Sequence, residues 1–208
     1  EKTPLEAASD ILKVIRETAT DDTHLQTAVA STPAFSVLLN DARVGRDFGE
    51  GRPLQGAPLS DWRNATYVLH DYHYANTHYL VQNAAASYFT HRKLYINDLN
   101  VLTVDKPVPL EHARIATTVF GLCGTPLMLG DDYRRIHPER LRMVKMCLPR
   151  TVGMPVPLDL FDHVSPDDYS RYMKLSVNTE WDSYTLIAVF NEDDTPYNAE
   201  LDFERIGL

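Results

Sequence analysis

Two cysteines, Cys123 and Cys147, are all that 208 residues contain, so a disulfide-dense scaffold is excluded and one bridge is the most the chain can form. Each sits in an apolar helical setting, which points to two buried free thiols. Basic residues are scarce as well. Twenty Lys and Arg against 29 Asp and Glu leave a net charge of -9, with no basic stripe to follow a nucleic-acid backbone. No run is apolar enough to span a bilayer, so no membrane partner is expected. The chain lacks a GxGxxG fingerprint, a phosphate loop and a GxSxG elbow, which removes the common nucleotide and serine-hydrolase chemistries. Nothing in it implies a cofactor. Internal repeats and low-complexity segments are also missing.

With 44% hydrophobic and 24% charged residues, the chain can bury a full core. It begins at Glu1, directly ahead of a helix start, and reads as a piece of a longer protein whose compartment stays open. Thr3, Pro4 and Glu6 carry three start signals: an N-cap, a proline at the first helical position and a capping-box glutamate. Leu5, Ala8, Leu12, Ile15 and Ala19 mark one face of that helix. His24 to Ala30 reads as a buried strand, and 42–48 as a short strand-like piece in a glycine-rich loop. A long helical stretch is expected from Trp62 to about Thr90.

From Leu94 to Asp132 the pattern is strand, polar loop, helix, strand, polar loop. Leu94–Asp98 and Val101–Val104 are extended and β-branched, Leu110–Leu122 has helical spacing closed by glycines, and Pro126–Leu129 is a second buried strand. Two strands with a crossover helix belong to a parallel sheet, and polar residues gather at both C-terminal strand ends, where such folds bind ligands. Pro138–Leu148 reads as a further helix. Beyond Pro149 the period becomes two, over Arg171–Val177, Tyr184–Phe190 and Ala199–Phe203. This is an antiparallel module. The expected division is therefore 1–150 and 151–208.

Arg43 and Asp47 lie four apart in a strand-end loop, which fits either a carboxylic acid aimed into a cleft beside a guanidinium or a surface ion pair. Asn97, Asp98 and Asn100, and again Asp131 and Asp132, end strands, where they line a polar site or simply make turns. His70 and His73 have a spacing that can hold metal, but no acid or thiol shares their register, so no metal site is expected.

In order, these motifs resemble the clan D glycoside hydrolases, the α-galactosidase group. Arg43 and Asp47 match the family's Arg-x-x-x-Asp at strand six. Tyr95-Ile-Asn-Asp-Leu-Asn100 stands where strand seven of the family carries Trp-Asn-Asp-Pro-Asp. Pro126-Leu-Met-Leu-Gly-Asp-Asp-Tyr-Arg-Arg-Ile136 follows its strand eight. Asn100 and Leu99 depart from the family's final Asp and its proline, and 28–33 lacks the usual specificity residues, which leaves the sugar open. The resemblance implies the C-terminal half of a (β/α)8 barrel, strands five to eight, followed by the beginning of an antiparallel β-sandwich. It implies retaining hydrolysis of an α-linked glycoside, oligosaccharide or polysaccharide. Asp47 would be the general acid/base, and Arg43, Asp98 and Asn100 would contact the sugar. The nucleophile would lie upstream of residue 1, so the fragment alone would be inactive. The alternatives are a non-catalytic carbohydrate-binding or interaction protein, or another enzyme, on the same barrel.

Overall fold

Thr3 closes both halves of the expected capping box: its hydroxyl accepts from Glu6 N–H, and the Glu6 carboxylate accepts from Thr3 N–H at 2.8 Å. Helix α1 (Pro4–Thr18) follows from that start. The computed structural model describes residues 2–28, 33–45, 79–106, 108–162, 168–193, 195–204 and 206–208. Within them the elements after α1 are β1 (Gln26–Thr27), β2 (Asp41–Arg43), helix α2 over 79–86, β3 (Ile96–Asp98), β4 (Val101–Leu102), α3 (Leu110–Cys123), β5 (Met128–Leu129), α4 (Pro138–Met146), β6 (Val156–Pro157), β7 (Tyr172–Asn178) and β8 (Ser183–Val189). The expected helix from Trp62 lies outside the described residues as far as 78, and the segment 29–32 does too.

The fold is mixed α/β. Strands β1, β2 and β3 pair in parallel in that order, and β4 pairs in parallel with β5 across the crossover helix α3. The described parallel strands form these two separate sheets and do not close into a barrel. Strands β6, β7 and β8 form an antiparallel sheet. Among the described residues the parallel pairs precede residue 150 and the antiparallel pairs follow it.

Helix α3 is the centre of the core because apolar or small residues recur around most of its circumference. Ala113, Ala116, Val119, Phe120, Leu122 and Cys123 are all buried. They join one hydrophobic cluster that runs from Leu80 and Val81 of α2, through Leu99, Leu102 and Val104, to Met173, Leu175, Ala188 and Phe190 of the antiparallel sheet. Both cysteines lie in that cluster as free thiols. Burial raises Cys123 to about 12 and Cys147 to about 11.

Several expectations need correction. The strands expected to be buried are not: β1 is exposed to half-buried and both residues of β5 are exposed, each lying at the edge of its described sheet. The apolar stripe of α1 buries no residue. Ala8 and Leu12 touch a small cluster of Phe35, Leu38 and Leu39, while Leu5 and Ile15 face outward. The run Ala199–Phe203 makes no strand, although it alternates in polarity. Just ahead of it, Tyr197 meets the sheet through its side chain, its hydroxyl 2.5 Å from that of Tyr172. Leu186, which the period of two places on the inner face with Ala188, is 40% exposed, whereas its cross-strand neighbour Leu175 is 1% exposed. The difference follows from the position of β8 at the sheet's edge. No described helix is long and apolar enough to cross a membrane.

Candidate functional site

Strand registers decide which side chains share a face. Gln26 stands opposite Asp41, Asp41 opposite Ile96, and Arg43 opposite Asp98. Side chains alternate along a strand, so Gln26, Asp41, Arg43 and Asp98 share one face of the parallel sheet, and Thr27, Ala42 and Asn97 share the other. Arg43 and Asp98, two of the candidate residues, are the last residues of neighbouring strands and stand side by side at one C-terminal sheet end.

Asp98 is 1% exposed, and both its oxygens are engaged. Gln26 Nε2 donates to Oδ2 at 2.6 Å, and Asn100 N–H donates to Oδ1 at 2.8 Å. Burial pushes its pKa above the ordinary carboxylate range. The Asn100 N–H opposes that push, the charge of Asp41 adds to it, and the Gln26 amide and Arg43 guanidinium pull the pKa back down. Asn100 has φ +74, a left-handed conformation that asparagine tolerates better than most residues. Its turn brings the N–H back onto Asp98. An asparagine therefore suits the position.

Asp41 was not singled out by the sequence reading. It is 3% exposed, its Oδ2 bonds His24 Nε2, and its Oδ1 is buried with no hydrogen-bond partner. A sequence signal for it exists: Asp41 lies two residues before Arg43, the spacing that puts both on one face of a strand. Gln26 has the same relation to His24. The backbone behind this face is tight. Val44 N–H donates to Asp98 C=O at 2.8 Å, and a Cβ on Gly45 would stand 2.7 Å from Leu99 O. Only glycine lets the chain leave β2 so close to β3.

Asp47 lies outside the described residues, as do His70, His73 and His78. The fourth histidine of that region, His91, is buried at 3% exposure, and its Nδ1 accepts from Asn97 N–H at 3.1 Å. It is part of the packing behind β3. Among the described residues no cluster of His, Cys, Asp or Glu can hold a metal ion.

Asp131 and Asp132 do not join the Arg43–Asp98 face. Leu102 pairs with Leu129, which puts Asp131 level with Val104, well past Asp98 along the chain direction. Its carboxylate accepts from Val104 N–H at 2.7 Å and Asp105 N–H at 3.2 Å. Asp132 is held by Arg134 at 2.8 Å. Both acids serve the strand-end loops. No known protein-family model matches the chain, and no curated protein is detectably similar to it.

Proposed function

We propose that this chain is the acid/base half of a retaining α-glycosidase of the clan D type, with β1, β2, β3 and β5 as barrel strands five to eight. The supporting observation is the in-register pair Arg43 and Asp98 at the C-terminal ends of two parallel strands, with the buried carboxylate of Asp41 on the same face. A polar, partly desolvated sheet end of this kind offers a polyhydroxylated ligand both donors and acceptors. Asp41 Oδ1 is a buried acceptor on this face without a hydrogen-bond partner.

Asp47, four residues past Arg43, would protonate the departing glycosidic oxygen and then deprotonate the attacking water. That chemistry sets two carboxylates about 5–5.5 Å apart. The second carboxylate, the nucleophile, would come from a strand that precedes β1. Arg43 would orient sugar hydroxyls, and Asp98, its oxygens taken by Gln26 and Asn100, would border the pocket, held in place by the Asn100 backbone.

The test is Asp47→Asn in the protein carrying the whole barrel. An amide keeps the shape of the carboxyl but donates no proton to an alkoxide, so kcat on a natural disaccharide should fall by ~10²–10⁴ while binding is retained. An activated aryl glycoside leaves without that proton and then stalls as the covalent intermediate, from which azide should release it. Equal turnover of the disaccharide by variant and wild type removes Asp47 from the mechanism. Sugar binding without any turnover in the wild type would instead identify a carbohydrate-binding protein.

A further inference from the structure

The bond from Gln26 to Asp98 crosses a whole strand. The sheet order is β1-β2-β3, so an amide on β1 reaches over β2 to a carboxylate on β3, two strand spacings or roughly 9–10 Å away at the backbone. The register adds to that distance, because Gln26 stands level with Asp41 and Ile96, two residues short of Asp98. A short side chain such as asparagine would not span the gap. The Gln26 amide closes it at 2.6 Å. Gln26 itself is exposed and belongs to neither hydrophobic cluster, so filling space is not its task.

Asp98 has need of such a donor. It is fully enclosed, and a buried carboxylate stays ionised only through the groups that face it. Among the described residues those groups are few. The Gln26 amide and Asn100 N–H donate to its two oxygens, and Arg43 stands beside it in register. Against them stands the Asp41 carboxylate, which has His24 on one oxygen and no hydrogen-bond partner on the other. The balance bears on Arg43, since a guanidinium at a strand end is steadied by an ionised neighbour and released by a neutral one.

We propose that Gln26 is a positioning residue of the sheet-end site, acting on Arg43 through Asp98. The proposal rests on the glycosidase reading only in naming a sugar as what Arg43 orients. The amide favours the charged form of Asp98, so its removal lets Asp98 take up a proton at a higher pH. Arg43 then loses a charged partner, and the sugar loses its orientation. Substitution at Gln26 therefore acts chiefly at acid pH and fades where Asp98 is ionised without help.

The test uses the protein carrying the whole barrel, with isotope-labelled aspartate carboxyls titrated by NMR and the Asp98 signal assigned by its loss in Asp98→Asn. Gln26→Leu should raise the Asp98 midpoint by about one pH unit, the size of one hydrogen bond to a charged group. The acid limb of kcat/KM for an aryl glycoside should move up with it. On that limb KM should rise roughly three- to tenfold while kcat changes little, and at alkaline pH the variant should match wild type. Gln26→Glu keeps the shape but replaces the donor with a carboxylate, and should raise the midpoint at least as far, which serves should the leucine variant fail to fold. An Asp98 midpoint that stays put in both variants overturns the proposal. So does a midpoint that rises while kcat/KM falls equally at every pH, which is the mark of a structural lesion. Should the wild type bind sugar without turning it over, the glycosidase reading fails, and the pH profile of sugar binding decides in place of kcat/KM.

Discussion

Two titratable residues outside the candidate site, the buried His91 and the half-buried Glu192, act on the pH response in opposite directions. His91 is pushed down to about 4 by burial, helped by the charge of Arg92, from an ordinary value of 6.5. Between those values the unfolded chain takes up a proton that the folded chain refuses, so this residue makes stability rise with pH. Glu192 is pushed up to about 8 by burial and the charge of Asp193, against the pull of Arg171, from 4.5. In that window the folded chain keeps a proton that the unfolded chain releases, and stability falls as pH rises. The two offset one another up to 6.5. Above it Glu192 acts alone, at up to about 1.4 kcal/mol per pH unit. The raised Asp98 works in the same direction as Glu192, starting at the acid end. Urea midpoints should therefore be nearly flat from about pH 5 to 6.5 and decline towards pH 8, and Glu192→Gln should abolish the decline. A decline that survives the substitution would assign the titration to another group.

Elements were legible in the sequence wherever a chemical signal was local. The capping box starts α1, and glycine ends α3: Gly124 has φ +56, and a Cβ there would stand 2.2 Å from Thr151 O. Gly124→Ala should cost roughly 2 kcal/mol or more, combining the left-handed penalty with the collision, and a urea titration would show it. A midpoint equal to wild type would mean that the chain after α3 shifts freely. Strand lengths were less legible. Strands β1, β4 and β5 pair over only two residues each, since pairing depends on a neighbour that is distant in sequence. The candidate site divides in the same way. Arg43, Asp98 and Asn100 were visible from strand-end chemistry, whereas Asp41 and Gln26 needed the register of three strands to place them beside Asp98.

At the scale of the whole molecule, the parallel and antiparallel parts share one hydrophobic cluster, so the change of pattern near Pro149 does not mark a break in packing. Periodicity could reveal the two kinds of sheet but could not show that the inner face of the second packs on the helices of the first. Leu175 is fully enclosed at that junction. Leu175→Ala should destabilise by roughly 2–5 kcal/mol, and the helical and sheet signals should still be lost in a single transition. A sheet that melts ahead of the helices would show that the two parts fold separately.

The loop between β4 and α3 is gripped from both sides of its backbone. Asp131 receives the N–H groups of Val104 and Asp105, and the buried Arg140 donates to the carbonyls of Val104 and Val108. A grip on main-chain atoms is indifferent to which side chains the loop carries. Asp105 and Lys106 are thus free to vary, while change is barred at Asp131 and Arg140, two positions well removed along the chain. Substitutional freedom here belongs to the residues nearest the strand end, and the restraint on them is written elsewhere in the sequence.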